Sequence, residues 1–358
     1  MKRTTKIFLS EKLSISDQSK CFFIAEAGVN HNGNLENAIK LIDAAVEAGA
    51  DAVKFQTFSA SQIATQYAPK STYHVETTGN DEHQSWLDLL KSQELSVEDH
   101  EDLFKYSAKK NIIFMSTPYD LESVDLLENL GVSLLKVAST DLNNHRLLKY
   151  MAKTSIPIIL STAMSTIEEV LQSQNILINA GCSELAILQC TGSYPTIDND
   201  LNISAMLQIR EKTNCVIGFS DHSTGVNAVS IAAAAGAKIV EKHFTLDRSM
   251  PGPDHRASLE PTELKECINL MRRTETMMGL GEKIVLDCES ENRRKLRKFT
   301  VAARDFEKGH VLRDEDLLLK RTGGEGVSAA KVDSIVGKTL IKDVIADQVV
   351  DLDVIGES

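Results

Sequence analysis

A closed (β/α)₈ barrel followed by a small β-rich domain is the fold this sequence predicts, on three observations. Eight short apolar runs alternate with amphipathic segments of helical spacing, the alternation spans about 260 residues, and polar side chains stand where the runs end. At 358 residues the chain is long enough for a barrel plus an appendage. Its apolar fraction of 42% and charged fraction of 25% are those of an ordinary globular protein. A formal net charge of -12 argues against nucleic-acid and anionic-membrane partners, because a polyanion would find no extended basic face. The six cysteines form no C-x-x-C pair, the pattern of reduced thiols, and point to a cytoplasmic protein. The opening MKRTTKIFLSEKLS lacks the long apolar region and cleavage site of a secretory leader, and no run has the length of a membrane span.

In chain order the predicted strands cover 22–25, 52–55, 112–115, 134–138, 156–160, 185–189, 216–219 and 238–240. Helical spacing of apolar residues marks 35–48, 97–109, 121–130, 167–179 and 226–235, with a last helix over 261–278. Such alternation implies right-handed crossovers and a parallel sheet. An open doubly wound sheet is the rival, but no glycine-rich dinucleotide fingerprint follows the first run. Asn34 is placed to cap the first helix, which accounts for the Asn30-His31-Asn32-Gly33 turn without a ligand. The stretch 57–95 is long for a βα loop and holds the single Trp86 and a polar run at 77–81; it reads as a lid, a docking surface or a plain insertion. A charge-dense connector, DCESENRRKLRK, separates the last helix from a segment of different texture. The expected domains are therefore a barrel at 1–285, a linker at 286–298 and a β-rich domain at 299–358, the last short enough to lean on the barrel or a second subunit.

Barrel enzymes carry their chemistry where strands end. Here Glu26 follows the first run, Lys54 and Gln56 close the second, Ser116 and Thr117 the third, and Lys136 and Ser139 the fourth. Ser161 closes the fifth, Gln189 and Thr191 the sixth, Ser220, Asp221 and His222 the seventh, and Glu241 and His243 the eighth. Glu241 and His243, two apart on a strand, face one space, and Pro251, Gly252 and Pro253 stiffen the loop leading to Asp254. An ordinary ion pair at a strand end explains the same two residues. His222 and His243 end neighbouring strands about 4.8 Å apart, so two inward imidazoles can share a divalent cation that keeps positions open; a hydrogen-bonded core pair has the same spacing. Lys54 and Lys136 among Ser116, Ser139, Ser161 and Ser220 make a host for phosphate or carboxylate, unless the lysines pair with Glu26 or Glu241.

Over its whole length the chain resembles the sialic acid synthase family, enzymes that build nine-carbon 2-keto acids from phosphoenolpyruvate and an N-acylated hexosamine. The resemblance rests on FIAEAGVNHNG at 23–33, GADAVKFQTF at 49–58, MSTPYD at 115–120, LKVASTD at 135–141, ILSTAMST at 159–166, LQCTGSYPT at 188–196, GFSDHSTG at 218–225 and EKHFTLDRSMPGPDHRASLEP at 241–261. The last sixty or so residues resemble the family's antifreeze-like (SAF) domain, with LLLKRTGGEG at 317–326. The resemblance implies a cation, Mn²⁺ before Mg²⁺ or Co²⁺, on His222 and His243. It implies phosphoenolpyruvate on Lys54, Lys136, Ser139, Ser161 and Ser220, and the hexosamine on Gln56, Tyr194, Asp254 and Arg321. Arg321 would reach in from the other subunit of a domain-swapped homodimer. Glu26 and Glu241 would stabilise positive charge during carbon-carbon bond formation, and Glu26 or Asp141 would take the proton of the water that follows. The expected product is N-acetylneuraminate from N-acetylmannosamine; the alternative is N,N'-diacetyllegionaminate from 2,4-diacetamido-2,4,6-trideoxymannose. Gly192 stands where some members carry Asn, Thr140-Asp141 where many carry Gly-Glu, and Thr322 rather than Pro follows Arg321, departures that bear on the sugar and not on the reaction type. A metal-dependent barrel hydrolase would need His-x-His at the first strand end, where this chain has Glu26-Ala27-Gly28, and an ice-binding module would leave the polar rim unexplained.

Overall fold

The computed structural model describes residues 6–10, 13–70, 75, 77–78, 85–279 and 281–356; residues 1–5 and 11–12 of the opening stretch and 79–81 of the polar run lie outside them. Two compact units result, Met1–Gly279 and Leu280–Ser358.

In the first unit eight parallel strands close a barrel: β3 (Phe22–Gly28), β4 (Ala52–Thr57), β5 (Ile113–Pro118), β6 (Leu135–Val137), β7 (Ile158–Ser161), β8 (Leu185–Cys190), β9 (Val216–Asp221) and β10 (Ile239–His243), with β10 returning to β3. A preceding hairpin, β1 (Lys6–Phe8) with β2 (Ser14–Ser16), pairs antiparallel. Each barrel strand is followed by a principal helix: α1 (Leu35–Ala48), α2 (Val97–Lys109), α3 (Leu121–Leu130), α4 (His145–Met151), α5 (Ile167–Asn179), α6 (Ala205–Thr213), α7 (Asn227–Ala234) and α8 (Pro261–Met278); the short helical turns Ala60–Ile63 and Trp86–Lys91 lie in the long loop after β4. The closed barrel is the predicted one. Two helices were not expected: α4 has only seven residues, and α6 buries only Met206, Ile209 and Thr213, too sparse an apolar stripe to announce it. Helix α1 illustrates the local logic. Asn34 accepts the Asn37 N–H at 3.0 Å, Leu41, Ile42 and Ala45 form the buried stripe, and Gly49 at φ 86° ends the helix in the left-handed conformation.

Alternation along the strands divides the apolar residues into two cores. Outward residues such as Phe23, Phe55, Leu160, Ile187 and Phe219 pack against the helices. Inward residues Ile24, Ala52, Met115, Ile159, Leu188, Val216 and Ile239 fill the lower barrel, together with Ile7 and Ile15 from the hairpin. At Gly218 a side chain would strike the Ile239 carbonyl oxygen, 2.1 Å from an added Cβ, so this glycine lets the interior close. The floor of the barrel is thus apolar and packed, and polar groups begin one layer above it.

The second unit pairs β11 (Lys298–Ala302) antiparallel with β12 (Leu317–Arg321) and has its own small core, including Phe306, Leu312, Leu340 and Val350. Among the described residues, no helix is long and apolar enough to cross a membrane.

Candidate active site

Continuing each strand upward by two residues from the inward core gives the mouth. Glu26 stands above Ile24, Lys54 and Gln56 above Ala52, Thr117 above Met115, and Ser161 above Ile159. Cys190 stands above Leu188, Ser220 above Gly218, and Glu241 and His243 above Ile239. The mouth is therefore polar because the inward register changes from aliphatic to ionisable within one layer.

Ser116 is the exception among the expected residues. Being odd-numbered from Met115, it turns outward, and its hydroxyl lies 2.7 Å from that of Thr57, which in turn meets His100 Nε2 on α2 at 2.9 Å. Thr117 takes the inward place instead, accepting from Lys54 Nζ at 2.7 Å. The same alternation turns Cys190, not Gln189, inward. Strict period-two counting from the apolar floor would have found both.

Lys54 lies 2.8 Å from Glu26 Oε2 and 3.7 Å from Glu241 Oε1, and Lys136 lies 3.9 Å from Glu241 Oε2 while donating to the Val137 carbonyl at 3.0 Å. The pairing left open by the sequence is thus realised, in a setting where all four groups are almost wholly buried. Two cations and two carboxylates balance in a buried pocket, and their protonation diverges. Burial pushes Glu26 up to about 7, with Lys54 opposing and Glu241 assisting. Burial pushes Glu241 up too, but Lys136 and Lys54 outweigh it and hold the carboxyl below its usual range. Burial likewise lowers Lys136, whereas in Lys54 the two glutamates overcome burial and raise the ammonium. The Ser161 hydroxyl is buried here with no hydrogen-bond partner, and Ser139 Oγ accepts the Ala163 N–H at 2.9 Å. A ligand with phosphate and carboxylate oxygens would satisfy such donors.

His222 and His243 face each other with ring centroids 5.5 Å apart. His222 Nδ1 meets the Thr191 carbonyl at 2.7 Å, which fixes that nitrogen as the donor and leaves Nε2 toward the Tyr194 hydroxyl at 2.9 Å. Tyr194 stacks on the same ring at 4.1 Å between centroids, and Cys190 Sγ lies 3.6 Å from Nδ1. His243 Nδ1 is buried without a hydrogen bond, 3.8 Å from Asp254 Oδ2, and burial next to the cationic groups holds its imidazole well below the usual range. A neutral ring with an orphaned nitrogen, opposite a ring oriented by a backbone carbonyl, is a donor set that fits a divalent cation. Among the described residues, no group of three or more His, Cys, Asp or Glu side chains forms a closed cage, so these two imidazoles would leave most positions to other oxygens.

Gly28, at φ 54° in an irregularity of β3, lets three further groups converge: a Cβ there would lie 3.2 Å from Gln56 Nε2, 3.3 Å from Glu26 Oε1 and 3.4 Å from Asp254 Oδ2. Burial raises Asp254 to about 6. Asp141 sits on the turn after β6, half-buried, with Asn144 donating to its Oδ1 at 2.8 Å; burial raises it as well. The Tyr119 hydroxyl, absent from the expected set, is raised by burial and then by Glu26, Asp141, Asp254 and Glu241. Arg321 ends β12 in the second unit with an exposed side chain. The long loop's Trp86 packs on a satellite cluster with Phe58 and Leu90.

Fold and mouth together define a barrel enzyme whose site joins buried acid–base pairs to two facing imidazoles. The chain belongs to the NeuB family, whose sequence profile matches residues 41–283, with a SAF domain match at 299–354. It is 41% identical to an N,N'-diacetyllegionaminic acid synthase of Campylobacter jejuni over 92% of this chain and 99% of that relative. A second N,N'-diacetyllegionaminic acid synthase, from Legionella pneumophila, is 40% identical over 89% of this chain and 90% of its own length. Among solved structures, the N-acetylneuraminic acid (sialic acid) synthetase of Leptospira borgpetersenii superposes with a TM-score of 0.71 at 32% identity, covering 81% of this chain and 96% of that one.

Proposed function

We propose that this protein condenses phosphoenolpyruvate with the open-chain aldehyde of 2,4-diacetamido-2,4,6-trideoxymannose to give N,N'-diacetyllegionaminate and phosphate. The observation that carries the sugar assignment is the similarity, at 41% and 40% identity, to two synthases of that product, against 32% for the sialic acid synthetase. This reverses the order in which the sequence ranks the two sugars.

Lys54, Lys136, Ser139, Ser161 and Ser220, joined by Thr117, receive phosphoenolpyruvate. Gln56, Tyr194 and Asp254 hold the hexosamine, with Arg321 supplied by the second subunit of a domain-swapped homodimer. His222 and His243 hold the divalent cation, Mn²⁺, which when bound supplies Lewis-acid polarisation of an aldehyde oxygen. Carbon three of phosphoenolpyruvate bonds to the aldehyde carbon, whose oxygen ends as a hydroxyl, and positive charge develops on carbon two. The Glu26 and Glu241 carboxylates offset that charge. Water then adds to carbon two and gives up a proton. Glu26 suits this task better than Asp141, because it lies in the mouth beside Lys54 and burial brings its carboxyl to about 7, near neutrality. Cleavage of the carbon two–oxygen bond releases phosphate and leaves the 2-keto acid.

The assignment is tested by kcat/KM for the two sugars at saturating phosphoenolpyruvate. The diacetamido sugar is expected to be at least about tenfold better, since even one methylene in a fitted pocket is worth roughly 1–3 kcal/mol and an unmatched amide site costs more. Faster turnover of N-acetylmannosamine would overturn it.

A further inference from the structure

Each of the two facing histidines follows a buried charged residue that the reaction does not use. Asp221 precedes His222 and Lys242 precedes His243. Their side chains turn outward, away from the mouth, into the layer between barrel and helices, where they are 0% and 1% exposed. Lys242 Nζ lies 2.6 Å from Asp221 Oδ2 and also donates to the Ser223 carbonyl at 2.8 Å, while Asp221 Oδ1 accepts the Ser223 N–H at 2.8 Å. These bonds form a ring around the backbone of His222, with both of its neighbours gripped from the residue before His243. From the other side, the Thr196 N–H donates to the His222 carbonyl at 2.9 Å.

We infer that the Asp221–Lys242 pair is the positioning element of the two-imidazole cation site, fixing the separation and aim of His222 and His243. This rests on the reading that those histidines hold the cation. A buried ion pair is a weak contributor to stability, because desolvation offsets most of the attraction and an apolar pair of similar volume packs as well. An apolar pair cannot supply the bonds to the N–H and carbonyl of Ser223, the residue that follows His222. Outer-sphere bonds of that kind set ligand orientation and govern metal affinity.

The test measures Mn²⁺ binding by calorimetric titration of the full-length protein, with thermal midpoints recorded in parallel, for the parent chain, His222→Ala, Asp221→Asn and the neutral double variant Asp221→Asn/Lys242→Met. The double variant is expected to keep the parent's far-UV spectrum and a comparable midpoint while binding Mn²⁺ about 10- to 100-fold more weakly. A core control on α1, Ile42→Val, is expected to lower the midpoint without changing Mn²⁺ affinity, which separates positioning from general loosening. A folded double variant with parental affinity overturns the inference. Should the double variant not fold, the neutral pair Asp221→Asn/Lys242→Leu, which also removes the donor to the Ser223 carbonyl, serves in its place under the same criterion. If instead the parent fails to bind Mn²⁺, or His222→Ala binds it equally well, the ligand reading itself falls and this inference with it.

Discussion

At the level of single residues, the site is governed by which side of a strand a group occupies and by how far water is excluded from it. Glu26 combines both: it faces inward, and burial brings its carboxyl to about 7. Below that pH the group is mostly protonated and can neither offset positive charge nor accept a proton. The kcat/KM for phosphoenolpyruvate is therefore expected to fall as pH drops through about 7, and Glu26→Gln to lose that acid limb along with roughly 10²- to 10⁴-fold in rate. A pH–rate profile of the parent that stays flat between about 5.5 and 8 would contradict the role. The residue types of the site were legible in the sequence because barrel chemistry gathers at strand ends. Their facing was less so: Ser116 and Thr117 differ by one position, and only the strand register, with His100 of α2 taking up the outward hydroxyl through Thr57, decides between them. The Asp221–Lys242 contact was illegible for a related reason, since a charged residue in an apolar run gives no sign of a partner on the next strand.

At the level of elements, the strand-helix alternation could be read along the chain because buried parallel strands are short and uniformly apolar while their helices show a one-sided stripe. The irregularity of β3 could not, because it depends on a positive φ that Gly28 permits but does not announce. That bend brings Glu26, Gln56 and Asp254 around one point. Gly28→Ala is accordingly expected to destabilise the barrel by about 1–2 kcal/mol through the left-handed backbone and to depress kcat by crowding the three side chains. Thermal unfolding and steady-state turnover check it, and a variant with parental values of both would mean that the bend has no part in the site. The Asn34 cap, by contrast, was visible in advance, since capping is a local affair of three residues.

For the whole molecule, the chain forms two units with separate cores, Met1–Gly279 and Leu280–Ser358, and their barrel and SAF identities follow from the family. The acidic surplus of the chain leaves recognition of the proposed anionic substrate to a few enclosed cations. Arg321 is the residue through which the second unit is proposed to serve the sugar. Arg321→Ala should raise the KM for the hexosamine about 10- to 100-fold, the loss of a charge-assisted bond, and leave that for phosphoenolpyruvate within about threefold. Equal effects on both substrates would refute that division of labour. The central proposal is that this barrel joins an enol phosphate to an aldehyde and releases phosphate by breaking the carbon–oxygen bond. The most direct test supplies phosphoenolpyruvate carrying ¹⁸O at the bridging oxygen, together with the diacetamido sugar, and weighs the phosphate released. The label is predicted to leave with phosphate; unlabelled phosphate would mean cleavage at phosphorus and would contradict the proposed reaction.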